Sequence, residues 1–254
     1  MGIHHPKNES TLIQDHSPGG VVEALRKQIA QIEKGSRRWD EETPISSGCE
    51  PLDRLLPEHG FRWGTLVEWL SEGQGTGAET LALGTAREAC RQGGALVVLD
   101  YTREFYSPAA VRLGIASEQM IVVQASNLAD NTWALDQALR CPGVAATLAW
   151  LERLDGRTFR RLQLAAEEGG ALGLLMRPEC VRHEPSWAEV RLLVEPRPVA
   201  TPGGGRRLTV QLLRCRGGAG GEGVEVEIDD ETRVVHLAPR LAHPAASRRA
   251  AGAS

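Results

Sequence analysis

The sequence predicts an α/β fold, a mostly parallel sheet with helices on both faces and a short antiparallel extension at its C-terminal side. Three observations carry this. Apolar runs at 65–70, 95–100, 120–124, 146–151 and 171–176 alternate with helix-like stretches at 79–91, 108–113, 131–140 and 157–168, the β-α-β-α order of a doubly wound sheet. The runs are continuous rather than alternating, as in Ala-Leu-Val-Val-Leu and Ala-Thr-Leu-Ala-Trp-Leu, which is the pattern of strands covered on both faces. After Pro178 the helical periods stop, and short apolar strands joined by Pro and Gly turns take over.

Taken in chain order, residues 1–18 are polar and carry Pro6 and Pro18, the composition of a disordered arm. His4, His5 and His16 read there as solvated tail residues. Val21, Val22, Leu25, Ile29 and Ile32 share one helical face, and Gly35 is a plausible stop. Residues 36–43 form a charged linker in which Arg37, Arg38 and Trp39 read as spacer and anchor. Beyond the parallel core, strands are expected at 186–194, 207–215, 224–228 and 234–237. Val224-Glu-Val-Glu-Ile alternates cleanly and so is expected as a half-exposed antiparallel edge. Residues 217–223 hold five Gly with Ala219 and Glu222, a flexible hairpin loop. The chain thus divides into an arm (1–18), a helix and linker (19–43), a core with its β extension (44–240) and a disordered tail (241–254).

Composition narrows the function classes. At 254 residues with 41% apolar content the chain can bury one sizeable core. A net charge of −4 argues against a globally basic nucleic-acid binder and leaves room for a local patch. Only three of the 29 basic residues are Lys: Lys7, Lys27 and Lys34. The five cysteines lie 35 or more residues apart, so neither a zinc site nor a disulfide framework is indicated, and single core or surface thiols in a reducing cytosol are expected. No apolar run approaches the roughly 20 residues of a membrane span. The expected location is cytoplasmic.

One segment points to chemistry. An apolar strand (Leu66 to Leu70) enters a turn with Gly73, Gly75 and Gly77, and a helix follows. That is the layout of a phosphate loop, where backbone N–H groups cradle phosphates, a Lys reaches the β and γ oxygens and a Ser or Thr holds magnesium. Here Ala78 and Glu79 stand in the Lys and Ser/Thr positions, followed by Thr80. Phosphoryl transfer rests on positioning and charge stabilisation, and an arginine does not copy a lysine threaded through a tight turn. The loop is therefore degenerate, and no catalytic residue, metal site or cofactor is expected. Weak binding of ATP with magnesium is the residual alternative.

Three carboxylates, Asp100, Glu104 and Glu152, fall at strand ends, on the rim where α/β sheets bind ligands. Arg157, Arg160 and Arg161 on one helix, and Arg206, Arg207, Arg214 and Arg216 near the C-terminal strands, are candidates for contact with DNA phosphates or an acidic partner. Trp63, Trp69, Trp133, Trp150 and Trp187 are candidates for base stacking. Core packing is the expected role of Trp69 and Trp150.

The stretch Ile45-Ser-Ser-Gly-Cys-Glu-Pro-Leu-Asp-Arg-Leu-Leu, continued by Gly60-Phe-Arg-Trp-Gly-Thr-Leu-Val-Glu68, resembles the lead-in to the RecA recombinase core. The likeness continues through Gly93 to Asp100 and Ala109 to Gly114, and covers about residues 20–215. Leu148-Ala-Trp-Leu151, Phe159 to Ala166 and Leu174-Leu-Met-Arg-Pro178 are similar to the ImuA family, RecA-related and sometimes SulA-like accessory factors of error-prone translesion synthesis.

The resemblance implies a RecA-like, P-loop-type fold acting as a pseudo-ATPase adaptor in the SOS response to DNA damage. It implies as partners an ImuB-like Y-family protein, the error-prone C-family DNA polymerase, and RecA or single-stranded DNA. Because RecA relatives pack subunit to subunit through the N-terminal segment, it also implies self-association through residues 21–32. By the same resemblance Thr102 falls near the water-activating Glu, with Glu104 in reach, and Glu152 at the magnesium-organising Asp. The DNA-binding loops are short. Two rival functions follow: a residual ATPase in which Arg177 or another Arg replaces the missing Lys, and a SulA-like inhibitor that caps the division protein FtsZ.

Overall fold

The five apolar runs become parallel strands β1 (Leu66–Ser71), β2 (Ala95–Leu99), β3 (Met120–Val123), β4 (Val144–Trp150) and β5 (Leu172–Pro178). A short helix α1 (Glu50–Asp53) precedes them, and α2 (Ala78–Arg91), α3 (Ser107–Arg112), α4 (Leu128–Leu139) and α5 (Gly156–Gly169) connect them. β6 (Val190–Arg197), β7 (Arg206–Cys215), β8 (Gly223–Ile228) and β9 (Val235–Leu237) complete one sheet of order β3-β2-β4-β5-β1-β6-β7-β8-β9. The computed structural model describes residues 43–198, 205–216, 218, 220–229 and 235–237. The expected arm, the helix at 21–32, the linker residues Arg37, Arg38 and Trp39, and the tail lie outside the described residues.

Alternate strand residues fill two cores. Val67 and Trp69 of β1, Leu96 and Val98 of β2, and Ala146 and Leu148 of β4 pack with Leu81, Ala82 and Ala86 of α2. On the opposite face Leu66, Val97, Leu99 and Ala149 meet Leu135 and Leu139 of α4 and Phe159 and Leu162 of α5. This two-sided burial is why the strands read as continuous apolar runs. α5 starts where the Asp155 side chain accepts from the N–H groups of Arg157 and Thr158, each at 3.0 Å, a side-chain N-cap. It stops at Gly170, whose φ of 81° is a left-handed C-cap.

The motif at 45–68 has a local reason. Asp53 of α1 accepts from Ser46 Oγ at 2.6 Å and from Ser47 N–H at 2.7 Å, while Leu52 beside it is fully buried. The Leu-Asp pair therefore fastens the Ser-Ser-Gly turn to the core edge.

Two expectations for the C-terminal strands are corrected. The strand expected at 186–194 begins at Val190 and pairs parallel with β1 (Val67↔Val190, Ser71↔Val194). The chain crosses over β1 through a 3-10 turn, Glu179–His183, and an extended segment, so antiparallel pairing begins one strand later, at β6–β7. The strand at 224–228 is not an edge, because β9 pairs outside it (Ile228↔Val235). Its alternation reports one wet face: Val226 and Ile228 are buried, and Glu225 and Glu227 point away from that core.

Cys49, Cys90, Cys141 and Cys215 are buried free thiols and Cys180 is exposed. Burial pushes the Cys49 thiol up to about 11 and the Cys90 thiol up to about 12, which keeps both unreactive. Among the described residues no helix is long and apolar enough to cross a membrane.

Candidate functional site

The Gly-rich turn lies between the end of β1 and the start of α2, at the C-terminal rim of the sheet. Gly73, Gly75 and Gly77 all hold positive φ, at 83°, 75° and 91°, a conformation side chains rarely adopt. A Cβ on Gly73 or Gly75 would meet open space, whereas one on Gly77 would lie 2.6 Å from Leu208 of β7. Part of the glycine pattern is thus required by the packing of β7 against the turn. Ala78 is buried, and Glu79 and Thr80 are half-buried.

What faces this turn is acidic. Asp100, at the end of β2, is almost fully buried and accepts from the Glu104 N–H at 2.9 Å. Burial, together with the neighbouring Asp100, raises the Glu79 carboxyl above its ordinary range. The Gln74 amide donates to Glu104 at 2.6 Å and ties the turn to the segment after β2. Glu152 is exposed beyond the end of β4. The first turn of α2 keeps the N–H groups that would attract an anion. Two carboxyl groups and no lysine now share that space. Among the described residues no cluster of three or more His, Cys, Asp or Glu side chains could hold a metal ion.

A raised carboxyl means that the folded protein holds its proton at a pH where the unfolded chain has lost it, so this group's contribution to stability falls as pH rises. Glu79→Gln is therefore expected to raise the melting temperature at neutral pH, with the gain closing in the acid range. Thermal melts across pH check this, and a variant less stable than the parent at neutral pH would contradict it.

Arg177, which with other arginines a residual ATPase would call on in place of the lysine, is committed elsewhere. Its side chain is fully buried and donates to Glu68 at 2.7 Å, to the Leu151 carbonyl at 3.2 Å and to Glu184 at 3.4 Å. Glu68 lies on β1 with no exposure and also accepts from Arg191 Nε and Ser186 Oγ, both at 2.6 Å. Burial opposes ionisation of Glu68, but the hydrogen bonds from Arg191, Ser186 and Arg177 outweigh it and hold the carboxyl below its usual range. Arg191 also reaches the carbonyls of Arg182 and Glu184 at 2.9 Å each. This network clamps the crossover between β5 and β6 onto the sheet. Sequence reasoning missed it, although a Glu and two Arg inside apolar strands signal mutual pairing.

The arginine candidates do not form one patch. Arg157 is exposed at the start of α5. Arg160 stacks over Trp187, its guanidinium carbon 4.8 Å from the ring centre, and Arg161 pairs with Asp136 of α4 at 3.3 Å. Arg206 and Arg214 sit eight residues apart on β7, about 26 Å along the strand. Arg207 leaves the set of surface cations: it is largely buried, 3.6 Å from Glu227. Arg214 is exposed and donates to the Ser186 carbonyl at 2.8 Å. Trp69 is fully buried, Trp63 nearly so, and Trp150 lies against Phe105. Trp133 and Trp187 remain 40% and 49% exposed.

A cleft of about 290 Å³ opens at the other end of β1, beside Leu66. It brings together Arg62, Gln163, Glu167, Trp187, Glu189 and Arg216, which come from four separate stretches of chain. Arg216 is the only residue of this group that sequence analysis singled out among the charged candidates, and Trp187 the only one among the aromatics.

Known proteins are consistent with this architecture. The protein ImuA from two strains of Caulobacter vibrioides is 32% identical over 201 residues, spanning 70% of this chain and 82% of the relative. A cell division inhibitor SulA from Photorhabdus laumondii is 35% identical over 81 residues, 32% of this chain and 46% of the relative. Compared with models of known protein families, the chain matches none. Among solved structures, the RadB recombinase superposes with a TM-score of 0.60 at 17% identity, covering 77% of this chain and all of the recombinase chain. That likeness establishes a recombinase-type fold.

Proposed function

Because the chain belongs to the ImuA family, we propose that it is a non-catalytic RecA-fold adaptor in damage-induced mutagenesis. In this role it joins an ImuB-like Y-family protein to the error-prone C-family polymerase, with RecA or single-stranded DNA as a further contact. The observation that carries the non-catalytic part is the acidic turn. Glu79, in the first turn of α2, feels the charge of Asp100, and Arg177, the cation named for the missing lysine's place, is committed to Glu68. Each phosphate oxygen entering there would meet like charge without the compensation a lysine supplies.

The test is a titration of the purified full-length protein with a fluorescent ATP analogue, with and without magnesium, beside capture of the purified ImuB-like partner. The expected result is no saturable nucleotide signal and retained capture. Saturable, magnesium-dependent binding would return the protein to the ATPase class. The SulA similarity supports a second function, capping FtsZ, which predicts filamentous cells on overproduction. We rank it lower because that likeness spans 32% of the chain against 70% for the ImuA relatives.

A further inference from the structure

The cleft at the N-terminal end of β1 lies away from the Gly-rich turn and carries its own chemistry. Its floor is Glu189, whose side chain is only 13% exposed and lies 3.6 Å from Arg62. The backbone there is fixed on both sides, since Glu189 N–H donates to the Leu66 carbonyl and Arg216 N–H to the Glu189 carbonyl, each at 2.9 Å. One wall is Trp187, half exposed and backed by the guanidinium of Arg160. Gln163 and Glu167 of α5, hydrogen-bonded to each other, line it as well, with Arg216. Burial pushes the Glu189 carboxyl above its usual range, while Arg62 and Arg216 pull it back.

This lining selects among ligand classes. A phosphate or carboxylate in the interior would meet Glu189 and Glu167. A metal ion would meet two guanidiniums, and an alkyl group would cover the charged groups without bonding to any of them. A planar heterocycle satisfies all of them, offering a face to the indole, N–H donors to a carboxylate and ring acceptors to a guanidinium. The volume stands at the lower end of ligand sites, about 300 Å³, which suits one base and excludes an extended peptide. Of the bases, guanine presents two adjacent N–H donors on one edge and the O6 and N7 acceptors that arginine reads on another.

We propose that this cleft is a base pocket that takes one guanine, stacked on Trp187, with its N–H edge on Glu189 and O6 and N7 toward Arg216. The sugar and phosphate then face outward, toward the exposed guanidinium of Arg62. The guanine can belong to a free guanosine nucleotide or to a single strand, which share this chemistry. The site is independent of the adaptor role and of the degenerate turn.

The experiment uses the full-length protein and labelled oligothymidylates with one central guanine, adenine or cytosine, followed by anisotropy, with guanosine and adenosine monophosphates as competitors. The guanine strand is expected to bind about tenfold more tightly than the others. Trp187→Ala, at a half-exposed position, is expected to weaken binding of every strand about tenfold. Glu189→Gln should keep binding and lose the guanine preference. Guanosine monophosphate binding with the same dependence on both variants, without strand binding, assigns the pocket to free nucleotide. Base-blind binding, binding untouched by Trp187→Ala, no binding by either source, or occupation by a peptide instead would overturn the proposal. None of these outcomes bears on partner capture.

Discussion

Glu68→Ala should lower stability by about 3–5 kcal/mol, the range for removing one partner of a buried ion pair, and lower the melting temperature by about 10 °C for a chain of this size. The cause is what the substitution leaves behind. Arg177 and Arg191 are nearly or wholly inaccessible, and without Glu68 the nearest remaining carboxylate is Glu184, 3.4 Å from Arg177 and half exposed. Two guanidinium charges would then sit in the core facing one partly solvated partner.

The pH dependence gives a second check. The Glu68 carboxyl is held below its unfolded value, so its contribution is present above the ordinary carboxylate range and is lost as pH falls through the folded value. The deficit of Glu68→Ala relative to the parent should therefore be full at neutral pH and shrink in acid. Chemical denaturation at two pH values measures both. A loss under 1 kcal/mol at neutral pH would mean that the network is solvated rather than buried.

Gly77→Val should cost about 3 kcal/mol. Placing a non-glycine residue at φ 91° costs about 1–2 kcal/mol, and the added atoms collide with Leu208, an overpacking cost of about 1–3 kcal/mol. Gly75→Ala, at φ 75° with open space around it, should cost only the first part. Replacing Leu208 with Ala in the Gly77→Val chain should recover some of the loss, and a double-mutant cycle isolates that coupling. Equal costs at the two glycines, with no coupling to Leu208, would remove β7 from the explanation. The two glycines together test whether packing against β7, rather than phosphate binding, requires Gly77 in a turn without a lysine.

How much of this was legible in the sequence depends on what each feature is made of. The parallel core was legible because apolar runs such as Ala95 to Leu99 are locally encoded and both their faces are buried. Strand direction is not locally encoded. The stretch around Val190 to Val194 reads the same whether it runs with β1 or against it, and only the crossover decides. The degenerate turn could be read from spacing, but the approach of Glu79 to Asp100 needed two elements brought together. The cleft was beyond reach for the same reason: Arg62, Gln163, Trp187 and Arg216 are far apart in the chain. Glu68 was readable in principle, since a carboxylate between Val67 and Trp69 in a buried strand demands a cation. Which of 26 arginines answers it was not.

The position of β1 in the sheet has a consequence for synthesis. Both of its neighbours, β5 and β6, lie far downstream: Leu66 pairs with Gly173, and Val67 with Val190. At about 5–20 residues per second, the roughly 120 residues between Val67 and Val190 take about 6–25 s to emerge from the ribosome. Until β5 emerges the future centre of the sheet is an unpaired strand with two bare edges, and until Arg191 emerges Glu68 lacks part of its set of three side-chain donors. The fold cannot close from its N-terminal end. Nascent chains halted before Val190 should be held by chaperones or degraded, and chains extended past β6 should resist proteolysis.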